Sequence, residues 1–300
     1  MVGGYTTCGH LESGGTECWG PLSWIAVAHS PGGAPFSTLS LGSTHLCGIA
    51  AEGGAYCWGD NFDGQLGIGL IDRTGYLERQ SPTAVAGGAR YHSIATDNRV
   101  SCALSAEGQP FCWGLGHTFG AEATPRAVAG ISMRFDTLVM GTGSGADHEC
   151  GLTAAREIFC WGWSTDGQAG AVPAFGNTPG AIRVVLPGGA MPVAITAGGD
   201  DVEGYTGHSC ALSSAGEAFC WGSNRYGQLG NGTTTPRPEP LPVSGGHRFT
   251  QLAAGGNHTC GVTASAELYC WGRNRSGQLG NGKRGEGEIS AVPVRVAARS

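Results

Sequence analysis

The sequence predicts an all-β propeller of about six blades, each of four short antiparallel strands with one disulfide-stapled hairpin. Three features lead there. Every cysteine belongs to one of six pairs spaced ten residues apart, the second member of each pair opens Cys-Trp-Gly, and a recurring order of apolar segment, hairpin, glycine-rich loop and Pro/Val segment surrounds the pairs. Self-similarity of this kind marks one supersecondary unit stacked on copies of itself.

The pairs are Cys8 and Cys18, Cys47 and Cys57, Cys102 and Cys112, Cys150 and Cys160, Cys210 and Cys220, and Cys260 and Cys270. Between Cys102 and Cys112 the chain reads as a short strand, a glycine-containing turn near Ala106 to Gly108 and a second strand rich in apolar residues. Opposed residues in a non-hydrogen-bonded antiparallel pair have Cα atoms about 4.5 Å apart, a distance a disulfide accepts. Hairpins are therefore expected at about 5–20, 45–59, 100–114, 148–162, 208–222 and 258–272.

A leading strand recurs upstream of the hairpin. Phe249 and Leu252 lie eleven and eight residues before Cys260, and the same offsets give Phe36 and Leu39 before Cys47, and Tyr91 and Ile94 before Cys102. After each Trp-Gly comes a polar glycine-rich loop, fullest at Gly222 to Gly232, and then a segment such as Pro240 to Val243 that suits an edge strand, where proline is tolerated. Four short strands per repeat make a propeller blade. Counting back eleven residues from Cys8 runs past Met1, so the first repeat is expected to lack its leading strand. The array then reads as six blades with an imperfect seam, or six repeats of a longer series.

Gly256 to Val262, Leu268 to Gly272 and Asn274 to Gly280 together resemble the repeat of RCC1-like (regulator of chromosome condensation) β-propellers, in the cysteine-containing form of exported bacterial proteins. The resemblance covers essentially the whole chain. Trp58, Trp221 and Trp271 each begin Trp-Gly-x-Asn-x-x-Gly-Gln-Leu-Gly. It implies the fold and leaves function open, because that family includes an exchange factor, enzyme inhibitors and surface proteins.

Composition agrees. The 300 residues include 55 glycines and only 13% charged side chains, as tight turns and small strands require. Repeats that pack on one another favour one domain over 1–300. No stretch approaches the ~18 apolar residues of a membrane span, and a formal charge of −6 without a basic cluster gives no footprint for nucleic acid. Paired cysteines point to an oxidising compartment, periplasmic or secreted. Zinc is the competing use of cysteine, but structural zinc sites draw on closer pairs. Met1-Val-Gly-Gly lacks the basic region and apolar core of a signal peptide, so export rests on the cysteines alone.

Function is expected where the repeats differ, in their loops. Residues 140–147 before Cys150 and 197–207 before Cys210 are longer than their counterparts, and 68–79 after the second hairpin form a further excursion on the same face. An apolar-basic segment with Leu70, Asp72, Arg73, Tyr76 and Arg79, and an acidic edge with Asp147, Asp200, Asp201, Glu203 and Tyr205, are the candidate partner-binding residues.

His45, His148, His208 and His258 each stand two residues before a first cysteine, while Thr6 and Val100 break the series. Imidazole is the commonest metal ligand, but the series is broken, and the RCC1-like resemblance implies a recurrent structural histidine bonded within its blade. The recurring tryptophans read as packing. Asp60 to Gly64 carries oxygens of the kind calcium uses without the alternating spacing, and Gly277 to Lys283 begins like a P-loop without its hydroxyl or following helix. Both read as turns.

No catalytic residue, metal ligand or cofactor is assigned. The expected function is that of a non-catalytic extracytoplasmic interaction propeller, an accessory or structural subunit docking onto other proteins, with the outer side of a membrane complex as one setting. A secreted enzyme inhibitor or an adhesin for protein or glycan is the alternative, and an enzyme with a site in the central channel the third.

Overall fold

Small and apolar residues between the paired cysteines build the hairpin their spacing requires. The computed structural model describes residues 2–3, 6–10, 16–19, 33, 35–74, 79–116, 120–141, 148–172, 176–178, 180–200 and 206–297. Cys47, Cys102, Cys150, Cys210 and Cys260 each stand opposite the cysteine ten residues on. All five pairs are disulfides, with Cα atoms 4.1 Å apart. Such closeness marks the non-hydrogen-bonded position of an antiparallel pair. The backbone also sets Cys8 opposite Cys18, whose side chains lie outside the description. Gly108 turns the third hairpin at φ 79°, and a Cβ there would come within 2.6 Å of the Phe135 carbonyl.

The chain divides into two compact units, Met1–Leu138 and Val139–Ser300. In the first, β1 (Val2–Gly3), β2 (Thr6–His10) and β3 (Thr16–Trp19) form a three-stranded sheet. Strands β4 (Phe36–Leu41), β5 (His45–Ala50), β6 (Ala55–Gly59) and β7 (Arg79–Ala84) form the next sheet. Strands β8 (Tyr91–Thr96), β9 (Val100–Ser105), β10 (Pro110–Gly116) and β11 (Gly120–Ala127) form the third.

Three more four-stranded sheets follow. The first joins β12 (Thr137–Met140), which starts just ahead of the second unit, to β13 (His148–Leu152), β14 (Ile158–Gly162) and β15 (Ile182–Val184). The next comprises β16 (Pro192–Asp200), β17 (Thr206–Ser213), β18 (Ala218–Gly222) and β19 (Arg237–Pro242). The last comprises β20 (Phe249–Ala254), β21 (His258–Thr263), β22 (Leu268–Arg273) and β23 (Ile289–Arg295). Every sheet is an antiparallel meander in chain order.

Five of the sheets carry the four strands expected of a blade, and three strands of the first repeat are described. Val2 opposes Thr7 as Leu41 opposes Leu46, so β1 is a two-residue leading strand where none was expected. Residues 20–32, where an outer strand would fall, lie outside the description. The long loop expected before Cys210 is also corrected. Strand β16 continues through Gly198, Gly199 and Asp200, paired with His208, Gly207 and Thr206. The extra residues lengthen a hairpin because two glycine pairings let the strands continue without side-chain conflict.

Tryptophan and leucine fill the space between neighbouring sheets of a unit. Trp58, Trp113, Trp161, Trp221 and Trp271 are buried, as packing predicts. One cluster joins Cys47, Ile49, Cys57 and Leu66 of the second repeat to Tyr91, Ile94, Ala103 and Trp113 of the third. A second joins Cys210, Leu212, Cys220 and Leu229 to Phe249 and Trp271. Each fully buried leucine contributes about 1.5–3 kcal/mol, so these seams hold repeat to repeat.

Candidate protein-docking surface

A single asparagine organises the loop that follows Trp-Gly in the second, fifth and sixth repeats. Asn61 Oδ1 accepts the Leu66 N–H at 3.0 Å, and its Nδ2 donates to the Leu70 carbonyl at 3.0 Å. Asn224 does the same for Leu229 N–H and the Thr233 carbonyl, and Asn274 for Leu279 N–H and the Lys283 carbonyl. Ser164 replaces it in the fourth repeat, accepting from the Ala169 N–H at 3.0 Å. Gln65, Gln168, Gln228 and Gln278 each accept the N–H two residues earlier through Oε1. Two amide side chains thus set the second, fifth and sixth loops as rigid turns, and a serine with an amide sets the fourth.

The glutamine carbonyl fastens that turn to the next repeat. Gln65 O accepts Trp113 Nε1–H at 2.9 Å and Ser101 Oγ–H at 2.9 Å. Gln168 O receives Trp221 and Ser209, and Gln228 O receives Trp271 and Thr259. The same hydroxyls meet the histidine series: His45 Nε2 lies 2.8 Å from Ser101 Oγ, His148 Nε2 2.9 Å from Ser209 Oγ, and His208 Nε2 2.8 Å from Thr259 Oγ1. His45, His148 and His208 are therefore structural, but they bridge adjacent repeats where bonding within a blade was expected. Burial holds the His45 pKa at about 3. Burial, with His148 and His258 nearby, does the same for His208, and burial lowers His258. Neutral imidazole suits a bond to a hydroxyl.

On this common frame the second repeat presents a different surface. Phe62, Leu70 and Ile71 are 43%, 50% and 37% exposed. Their counterparts by distance from the organising residue are polar in the fifth and sixth repeats: Arg225 and Arg275 match Phe62, Thr233 and Lys283 match Leu70, and Thr234 and Arg284 match Ile71, while the fourth repeat has Thr165, Pro173 and Ala174. The backbone of Phe62, Leu70 and Ile71 is gathered at Asn61, which bonds the Leu70 carbonyl and whose own carbonyl accepts the Asp72 N–H at 3.2 Å. Beside them Arg99 holds Asp63 through two hydrogen bonds of 2.5 and 2.9 Å. Asp60 accepts the Phe62 N–H and Gln65 Nε2–H. The oxygens that imitate a calcium loop are thus engaged by the turn's own groups and by Arg99 of the next repeat.

Of the candidate residues, Leu70 and Arg73 are exposed in this loop. Asp72 is a correction: it is buried, and its Oδ1 accepts the Thr74 N–H at 3.0 Å, so it shapes the turn from within. Tyr76, Asp147, Asp201, Glu203 and Tyr205 lie outside the described residues, as do the side chains of Arg79 and Asp200. Asp200 is placed by its backbone, opposite Thr206. Phe62 and Ile71 escaped notice in the sequence, although superposing the Gly-Gln-Leu-Gly loops on one another reveals both.

The "Regulator of chromosome condensation (RCC1) repeat" profile matches residues 215–262 and 265–300, and a second profile of that description matches 36–65, 201–228 and 249–278. Among curated proteins, the chain is 31% identical to the mouse E3 ubiquitin-protein ligase HERC2 over 57% of its own length and 3% of that protein. It is 27% identical to the Arabidopsis thaliana ultraviolet-B receptor UVR8 over 72% of its length and 48% of that protein. The chain thus spans half or less of these relatives. Prp20p from Saccharomyces cerevisiae shares the fold at TM-score 0.78 and 19% identity, covering 99% of this chain and 76% of that one. Human WBSCR16 matches at the same TM-score and identity, covering 99% and 81%. Among the described residues no helix is long and apolar enough to cross a membrane. With its repeated Trp-Gly-x-Asn-x-x-Gly-Gln-Leu-Gly turns, disulfide hairpins and four-stranded sheets, the chain carries RCC1 repeats and shares the RCC1-like β-propeller fold.

Proposed function

We propose that this propeller is a non-catalytic interaction module outside the cytoplasm, an accessory or structural subunit that docks onto other proteins through its Gly-Gln-Leu-Gly loops. One observation carries the reading: Phe62, Leu70 and Ile71 stand exposed on a turn whose counterparts in the fifth and sixth repeats are polar at the same places. Apolar side chains held together on a rigid surface mark a contact for another protein. Five disulfides support an oxidising compartment. The organising side chains of the turns are engaged with their own backbone, which supports binding over chemistry.

Replacing the trio with residues of the fifth repeat, as Phe62→Arg, Leu70→Thr and Ile71→Thr, tests the proposal. The variant should keep the parent's unfolding midpoint and lose the proteins that co-purify with the parent from its native source. Unchanged co-purification would overturn the reading.

A further inference from the structure

The outer strand of a sheet presents unpaired N–H and C=O groups, and proteins protect such edges with proline. In four repeats the residue just before the one opposing the second cysteine is proline: Pro82 precedes Thr83, Pro125 precedes Arg126, Pro240 precedes Leu241 and Pro293 precedes Val294. In the fourth repeat Ile182 opposes Cys160, and the residue before it is Ala181. The fifth repeat adds Pro242 opposite Phe219, where the fourth has Arg183 opposite Phe159.

Register shows which way the open groups point. Cys150 and Cys160 form a non-hydrogen-bonded pair, so the Cys160 N–H and C=O turn toward β15 and bond Ile182. By alternation Ala181, Arg183 and Val185 direct theirs away from the sheet. Among the described residues no backbone hydrogen bond engages those outward groups. Alternation also places the Arg183 and Val185 side chains on one face, and both are exposed, Val185 at 62%. Beside them opens a cavity of about 300 Å³ lined in part by Val185, Leu186, Met191 and Pro192.

We infer that the edge of β15 is a docking site for an extended strand of another protein, added antiparallel with an acidic residue opposite Arg183 and an apolar residue opposite Val185. Main-chain bonds supply affinity in this mode and alternate side chains supply selection. Arg183 meets Glu157 through a single contact of 2.7 Å while its side chain stays 58% exposed, so its guanidinium can take a second carboxylate. The apolar residue two positions earlier in the partner strand enters the Val185 and Met191 groove. A second copy of this chain fits less well, because antiparallel pairing centred on Arg183 sets guanidinium against guanidinium. This surface is separate from the Phe62 loop, and its test is separate too.

The probe is a fluorescein-labelled peptide, Thr-Val-Thr-Glu-Thr-Val-Thr, whose symmetry allows either strand direction, followed by anisotropy. Saturable binding is expected, with at least a tenfold loss in the double variant Ala181→Pro, Arg183→Pro. That variant copies the edge of the fifth repeat, and unchanged circular dichroism and melting confirm its fold. A peptide with lysine in place of glutamate should bind about tenfold more weakly. Absence of binding at millimolar peptide, or equal affinity for the double variant, would overturn the inference. So would concentration-dependent dimerisation of the parent that Ala181→Pro abolishes, which assigns the edge to a second copy.

Discussion

Nε2 of His45 lies 2.8 Å from Oγ of Ser101, across the seam between the second and third repeats. Ser101 donates its proton to the Gln65 carbonyl, which also accepts Trp113 Nε1–H. With its proton committed, the serine oxygen accepts, so His45 donates from Nε2. The same order of His, hydroxyl, glutamine carbonyl and Trp recurs through Ser209 and through Thr259. A histidine in one repeat, a turn in that repeat and a hydroxyl-tryptophan pair in the next therefore form one polar joint inside an apolar seam.

Removing the hydroxyl leaves a buried imidazole N–H without an acceptor, while retaining it on a different side chain does not. Ser209→Ala should cost about 1–3 kcal/mol, and Ser209→Thr, which copies Thr259, should lie within about 1 kcal/mol of the parent. Urea unfolding of the two variants measures this. Equal loss in both would show that the serine's small size matters and its hydroxyl does not.

Acid should weaken the fold through the same joints. His45 and His208 are neutral when folded, with pKa values of about 3, and titrate near about 6.5 when unfolded. Between those values the unfolded chain binds a proton at each site that the folded chain does not. Stability is thus fullest above about pH 6.5 and declines as pH falls toward about 3, by up to about 1.4 kcal/mol per pH unit for each histidine. His45→Gln and His208→Gln should each flatten that decline in urea midpoints taken at stepped pH. A slope unaltered in both variants would remove these histidines from the account.

Hairpins, leading strands and outer strands were legible in the sequence because cysteine spacing fixes register and register fixes which residues face inward. The polar joint was not, since nothing in His-x-Cys tells that the imidazole reaches the hydroxyl of the following repeat. Loop length misled before Cys210, where glycine pairs extend a hairpin. Length also drew attention to Leu70 and Arg73, while Phe62 sits in a turn of ordinary length and differs only in chemistry. Ala181 was hidden for a related reason: a missing proline becomes visible only after the outer strands are aligned on their cysteines.

Close approach of neighbouring repeats makes certain glycines irreplaceable. A Cβ on Gly42 would lie 2.1 Å from the Asp97 carbonyl oxygen and within 3 Å of the His45 ring. Backbone cannot yield that far without opening the seam, so Gly42→Ala should cost more than about 3 kcal/mol or prevent soluble expression. At Gly180 an added Cβ meets nothing within 4 Å, and Gly180→Ala should stay within about 0.5 kcal/mol of the parent. Parallel melting curves compare them, and a mild effect at Gly42 would mean the repeats pack less tightly than this contact requires.

Burial of the disulfides separates their accessibility from their energetic weight. Cys47, Cys57, Cys102 and Cys112 are at most 1% exposed, so a thiolate reaches them only when a hairpin opens. Folded protein should therefore resist millimolar dithiothreitol, with alkylation appearing at a rate set by unfolding and rising steeply in urea. Closing a loop of about ten residues constrains the unfolded chain by about 2–3 kcal/mol. The double variant Cys102→Ser, Cys112→Ser should lose up to that amount, and less if the hairpin forms in the unfolded ensemble without its bond. Rapid alkylation of the folded parent without denaturant would mean that the hairpins open far more often than their packing allows.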